Sequence, residues 1–142
     1  MNNTYLRGDL NALDYRRLAR YPATHAYFAD WIAFRRSPRG YLLRQWSRPS
    51  EGFFQCITRL GSPGLVAIYN ADGSQGPSRL MFAVNPHTED TTIVLGAFAD
   101  WSWELVADHE CFYRDGKHPA GLREEADLFI PALGCSLWLA EQ

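Results

Sequence analysis

The sequence predicts a mainly β chain: an antiparallel β-sandwich of about seven to eight short strands, of Greek-key type, preceded by an N-terminal helical segment. Three observations carry this expectation. Between Tyr15 and Pro49 the spacing of apolar residues changes from three-to-four to two, the helical and strand periods respectively. Beyond that join, short apolar runs recur, each closed by Gly, Pro, Asn or Asp. The five Trp, seven Tyr and eight Phe form an aromatic complement that suits the core of a sandwich. The helical segment is assigned to residues 1–40 and the sandwich to residues 41–142.

Residues 1–12 (MNNTYLRGDLNA) are polar and read as loop. LDYRRLARY gives a helical turn or two, ending at Pro22. In the next helix Tyr27, Phe28, Trp31, Ile32 and Phe34 recur at helical steps and form one apolar stripe. Thr24 is its expected N-cap, and Ser37-Pro38 with Gly40 stops it. YLLRQW and FFQCITRL are then expected strands, parted by the turn SRPSEG. LVAIYNA follows the breaker GSPG. In the loop ADGSQGPS, Asp72-Gly73 favours positive φ. RLMFAVN alternates, with Leu80, Phe82 and Val84 on one face. After the loop NPHTED come the strands TTIVLG and WSWELVAD. The second should place Trp101, Trp103, Leu105 and Ala107 on one face. CFYRDGKHPAGLREEA is the longest irregular stretch. LFIPAL and CSLWLA close the chain as strands, with Pro131 at an edge or bulge position.

Composition narrows the function classes. Apolar residues are 46% and charged residues 21% of the chain, as in globular domains. At 142 residues, one domain can bury roughly two-thirds of its unfolded surface. A net charge of −2 supplies no field to gather nucleic acid or anionic lipid, so neither is expected as a partner. Arginines cluster locally, at Arg16, Arg17 and Arg20 and again at Arg35, Arg36 and Arg39. No apolar run approaches the ~20 residues of a membrane span. Of three cysteines, Cys56 and Cys135 lie in apolar runs and are expected to be buried thiols. An odd cysteine count argues against a disulfide framework and for a reducing cytoplasm.

Chemistry-bearing patterns are sparse. His109, Cys111 and His118 lack the ligand spacing of zinc, and Asn70-Ala71-Asp72-Gly73 lacks the downstream Glu of a calcium loop. No metal or other cofactor is expected, and no nucleophile elbow or phosphate-binding Gly pattern occurs. Asp9, Asp14, Asp30, Asp100, Asp108 and Asp115 lie near aromatics, but each has a local explanation as a loop, turn or helix-surface residue. Catalytic residues are therefore expected to be none. For Trp101 and Trp103 two readings stand: an exposed platform on which glucose rings stack, or a pair pointing into the core. Trp46 and Trp138 are assigned to structure.

Four strings occur in a telling order: NNTYLRGDLNALDY, HAYFADWIAFRRSPRGYLLR, LMFAVNPHTEDTTIVL and LFIPALGCSLWLA. In that order they resemble the C-terminal end of an α-amylase-superfamily glycoside hydrolase, most like its pullulanase and debranching-type members. The first is similar to the family's loop after the last barrel strand, with Tyr15 where an aromatic usually ends it. In the second, Phe34-Arg35-Arg36-Ser37-Pro38 resembles the end of the last barrel helix, one residue short. The third and fourth resemble a hairpin and the closing strand of the C-terminal sandwich. A barrel needs ~250 residues and cannot fit here.

The resemblance implies that the catalytic carboxylates belong to earlier barrel strands and that this chain alone is not an enzyme. It also implies that Asn3, Tyr5, Arg7, Asp9 and Asn11 follow the eighth strand. There, Asn3, Tyr5, Asp9 and Asn11 either rim glucan subsites or hold the loop and cap the helix. The expected function is that of a non-catalytic C-terminal domain supporting the catalytic barrel of its own polypeptide, with Trp31, Ile32 and Phe34 as the stripe joining helix to sandwich. Two alternatives stand beside it: a carbohydrate-binding module for starch- or glycogen-type α-glucan, and an unrelated sandwich-type interaction domain.

Overall fold

The computed structural model describes residues 16–114 and 127–141. Among these the chain forms helices α1 (Arg16–Arg20) and α2 (Pro22–Arg36). Seven strands follow: β1 (Phe54–Thr58), β2 (Leu65–Tyr69), β3 (Arg79–Val84), β4 (Thr91–Val94), β5 (Trp103–Asp108), β6 (Asp127–Ile130) and β7 (Cys135–Ala140). All ladders are antiparallel. One sheet has the order β1-β2-β3-β7-β5 and the other pairs β4 with β6. The expected mainly β sandwich with a helical N-terminal segment is therefore what the chain forms.

The molecule is layered because its central strands have no polar face. On β3, Met81 and Ala83 point toward the small sheet, while Leu80 and Phe82 point the other way. On β7, Trp138 and Ala140 join the first set, and Leu137 and Leu139 the second. Strands buried on both faces must be covered twice. Ile93, Leu95, Leu128 and Ile130 of the β4–β6 layer close one core. Phe34 of α2, Leu42 and Phe53 close the other, with Trp31, Tyr41 and Phe112 at its margin. The result is helix, five-stranded sheet and two-stranded sheet.

Local chemistry fixes the helical cover. Pro22 occupies the first turn of α2, where its missing N–H costs nothing. The ladder runs on from α1 through Tyr21 N–H to Arg17 O at 2.9 Å and His25 N–H to Tyr21 O at 3.1 Å. Helix α2 thus starts at Pro22, with Tyr21 as a cap that makes no side-chain bond, and the expected cap Thr24 lies inside it. At the other end Ser37 N–H donates to Ala33 O and Phe34 O, and Pro38 ends the helix as expected.

Several expectations need correcting. YLLRQW is not a strand: Tyr41–Leu43 form a 3-10 turn that drives Leu42 into the core at 0% exposure. Gly40 causes it, sitting so close to the helix end that a Cβ there would lie 2.1 Å from Phe34 O. Trp46, just beyond, is 97% exposed instead of structural. Ala107 does not share the face of Trp103 and Leu105. A bulge between Leu105 and Ala107 adds one residue, resets the alternation and sends Val106 and Ala107 to the helix side. Cys56 is exposed because β1 is an edge strand, and Cys135 is half-buried; with Cys111 all three are free thiols. Of the expected joining stripe, Trp31 and Phe34 pack on the sheet, whereas Ile32 is exposed.

Gly40→Ala should destabilise the chain by about 1–3 kcal/mol, because the added methyl meets a backbone carbonyl that cannot move without unseating α2. Urea unfolding of the variant beside the parent chain measures it, and an unchanged midpoint would show that the close approach matters little.

Candidate functional site

Positions Asn3, Tyr5, Asp9 and Asn11 lie outside the described residues, as do Asp14, Asp115 and His118. A site among the described residues would have to involve Trp101 and Trp103, the described carboxylates, or an open cleft between the 59–63 and 85–91 segments.

Trp103 opens β5 and is buried at 5% exposure, its indole N–H donating to Phe98 O at 2.8 Å. That bond satisfies the ring's sole polar group inside the core. Trp101 is half-buried, its ring tilted 40° from that of Trp103 with centroids 6.5 Å apart. Over its face lies Arg79, whose guanidinium carbon is 4.8 Å from the ring centroid. The pair is a core wedge with a lid, and it leaves no shared flat face.

Arg79 is the least ordinary side chain nearby. It is buried to 9% exposure, and its Nη1 donates to the carbonyls of Gly76, Pro77 and Ser78 at 3.0, 3.1 and 3.1 Å. Asn70, fully buried with φ +59°, completes the clamp. Its Nδ2 donates to Gly76 O and Ser78 O, and its Oδ1 accepts from Gln75 N–H. Gly73 has φ +73°, and a Cβ there would lie 2.7 Å from Arg79 Nη2. The Asp72-Gly73 turn read from sequence is thus the outer wall of an arginine-filled loop.

Five carboxylates, those of Asp30, Asp72, Asp90, Glu104 and Asp108, are held by structural donors. Asp30 pairs with Arg114, and Glu104 with Arg39 at 2.5 Å. Asp90 accepts Ala132 N–H at 2.9 Å, and Asp72 accepts from Ser50 and from Ser74 N–H. Asp108 organises the turn after β5: its Oδ1 accepts Glu110 and Cys111 N–H at 2.8 Å each, and its Oδ2 accepts the Tyr113 hydroxyl at 2.6 Å. Burial by itself would raise this carboxyl, but the Tyr113, Cys111 and Glu110 bonds outweigh it and hold it below its ordinary value. Reciprocally, the bond to Asp108 pushes Tyr113 up to about 12, with burial adding to it. The Tyr27 hydroxyl donates to Asp108 O at 2.6 Å, which roots α2 on this turn. These are shifts of a folding device, since they stabilise fixed bonds within one turn.

The cleft is open, about 260 Å³, and lined by Arg59, Ser62, Asn85, His87, Glu89 and Asp90 among others. Asn85 is buried and spent: its Nδ2 donates to Glu89 O and Pro131 O, and its Oδ1 accepts His87 N–H. His87 Nδ1 accepts Glu89 N–H. Here too the polar groups serve the loop. Among the described residues no group of three His, Cys, Asp or Glu is placed to hold a metal, and no helix is long and apolar enough to cross a membrane.

Sequence reasoning missed Arg79, Asn70 and Asp108 as organisers. The one available signal was positional, since each is a polar residue at a strand end beside a Gly-rich or turn-forming string. Compared with known proteins, the chain matches no family model, no curated protein and no solved structure.

Because Tyr113 is held protonated above its ordinary value of 10.0, its bond adds stability that is fully present below pH 10 and disappears as pH climbs through about 12. Tyr113→Phe should be less stable than the parent at pH 8, and the gap between their urea midpoints should close from pH 10 to 12. A gap that stays constant across that window would show that the bond to Asp108 is not the stabilising contact.

Proposed function

We propose that this chain is the non-catalytic C-terminal β-sandwich domain, with the last barrel helix attached, of an α-glucan-acting glycoside hydrolase of the α-amylase superfamily. Its work is to support the catalytic barrel of the same polypeptide. The observation that carries this reading is the seating of α2 on the outer face of the five-stranded sheet. Trp31 and Phe34 pack on Phe112 with ring centroids 5.7 and 5.9 Å away. Tyr27 is bonded to the end of β5, and Asp30 is paired with Arg114. A helix fixed in this way carries its position directly into the sandwich, which is what a domain bracing a barrel through its final helix needs. The ordered strings that resemble the family's tail support the same reading.

The non-catalytic half is supported by the carboxylates. Glycoside hydrolysis needs two acids facing one bond, about 5 to 9.5 Å apart depending on the stereochemical outcome. Such acids must also be accessible to substrate, and the carboxylates traced above are engaged in holding turns and packing elements. The free thiols support placing the protein in the cytoplasm.

The isolated chain should release no reducing sugar from pullulan or starch, and measurable turnover that copurifies with it would overturn the assignment. Titration with maltoheptaose should likewise leave its tryptophan fluorescence unchanged. A saturable response abolished by Trp101→Ala would replace the supporting role with glucan binding.

A further inference from the structure

We propose that the outward face of α2 is a docking surface for an apolar protein surface rimmed by carboxylates. Helix α2 has two apolar faces, and the sheet uses one. Tyr27, Trp31 and Phe34 turn toward the sheet, whereas Tyr21, Phe28 and Ile32 fall within about 40° of one another on the helical wheel, roughly 60° or more away from them. These three are 52, 59 and 60% exposed. Leu18, one turn before Tyr21 on the continuous ladder, is exposed as well.

Trp46 belongs to the same end of the molecule. The segment leading to it is tied to the end of α2 by Arg35 Nε donating to Leu43 O at 3.4 Å, and by Arg44 donating to Arg36 O and Ser37 O at 3.2 and 3.1 Å. Two residues beyond Arg44, Trp46 is 97% exposed, and tryptophan is a residue type that anchors protein interfaces.

Charge selects the occupant. Residues 16–46 hold seven arginines, no lysine and one aspartate, whereas residues 47–142 hold six basic and thirteen acidic residues. Arg35 flanks the exposed strip on one side, and Arg36 with His25 on the other. Guanidinium forks match carboxylates in plane and spacing. An anionic membrane is disfavoured because the acidic β body would be repelled from the leaflet. Nucleic acid is disfavoured by the same acidic body, which repels phosphates. A protein face that is apolar inside and acidic at its edge satisfies both the strip and its rim. The inference rests on the proposed function only for the owner of that face, which would be the barrel of the same polypeptide.

The test uses the full chain and two synthetic amphipathic helices of ~20 residues, each with a leucine stripe, one flanked by glutamates and one by lysines. Tryptophan fluorescence and calorimetry should report saturable binding of the glutamate peptide at least about tenfold tighter than the lysine peptide. Ile32→Asp should lose about tenfold or more, and the Arg35→Glu/Arg36→Glu pair should reverse the preference. All three substitutions are at exposed positions, and unchanged circular dichroism and urea midpoints will confirm that they fold. The proposal is overturned by equal binding of the two peptides, or by binding of neither. It is equally overturned if phosphatidylserine–phosphatidylcholine vesicles or oligothymidylate bind more tightly than the glutamate peptide, or if Ile32→Asp abolishes a concentration-dependent self-association that occupies the same face. Failure here leaves the supporting role intact, whereas turnover on starch would remove that role without touching the peptide result.

Discussion

Everything in this fold follows from β3 and β7 being apolar on both faces. Two adjacent strands, paired from Arg79 with Ala140 to Val84 with Cys135, present Leu80, Leu137 and Leu139 to one side and Met81, Ala83 and Trp138 to the other. A sheet of that kind is unstable with a single cover, because each face removes several large side chains from water at roughly 25 cal/mol per Å². The β4–β6 pair covers one face. Among the described residues, Phe53 and Phe112 from the strand region and Phe34 and Leu42 from the helical arm cover the other. The arm is therefore part of the sandwich's core even though its sequence looks like a separate element.

This dependence explains what could be read from the sequence and what could not. Short apolar runs closed by Gly, Pro, Asn or Asp located β1 through β7, because turn residues act locally. Helix α2 and its Ser37-Pro38 stop were legible for the same reason. The 3-10 turn at Tyr41–Leu43 was not, since YLLRQW has strand-forming residues and the choice is made by Gly40 pressing on Phe34 O, a tertiary contact. The bulge in β5 was invisible because one inserted residue leaves composition unchanged while flipping Ala107 to the other face. Cys56 was misplaced because an apolar run announces a strand and does not say whether it lies at an edge.

The polar residues show a parallel limit. Trp101 and Trp103 looked equivalent in sequence, two apart on one strand, yet one is sealed in the core by its bond to Phe98 O and the other is lidded by Arg79. The lid is itself structural: a buried guanidinium that gathers three carbonyls and, with Asn70, gives a nine-residue loop a rigid interior. Asp108 does the equivalent for the turn after β5, where one carboxylate ties Glu110, Cys111 and Tyr113 together while its own carbonyl receives Tyr27. Shifted acid–base behaviour often marks catalysis. Here it marks the turn after β5, where Asp108 and Tyr113 keep the helix in register.

That joint also bears on why the helix has a second apolar face. Tyr27, Trp31 and Phe34 would suffice to bury one side, and a helix that ended its duties there would carry polar residues opposite. Instead Tyr21, Phe28 and Ile32 stand exposed between arginines, at a cost in solvation that folding of the sandwich does not repay. An apolar strip held rigidly in water by an aromatic contact, a tyrosine bond and an ion pair on its reverse is pre-ordered for a partner. Pre-ordering lowers the entropy lost on association, so the contacts that fasten α2 to the sheet also raise the affinity of whatever lies on its other side.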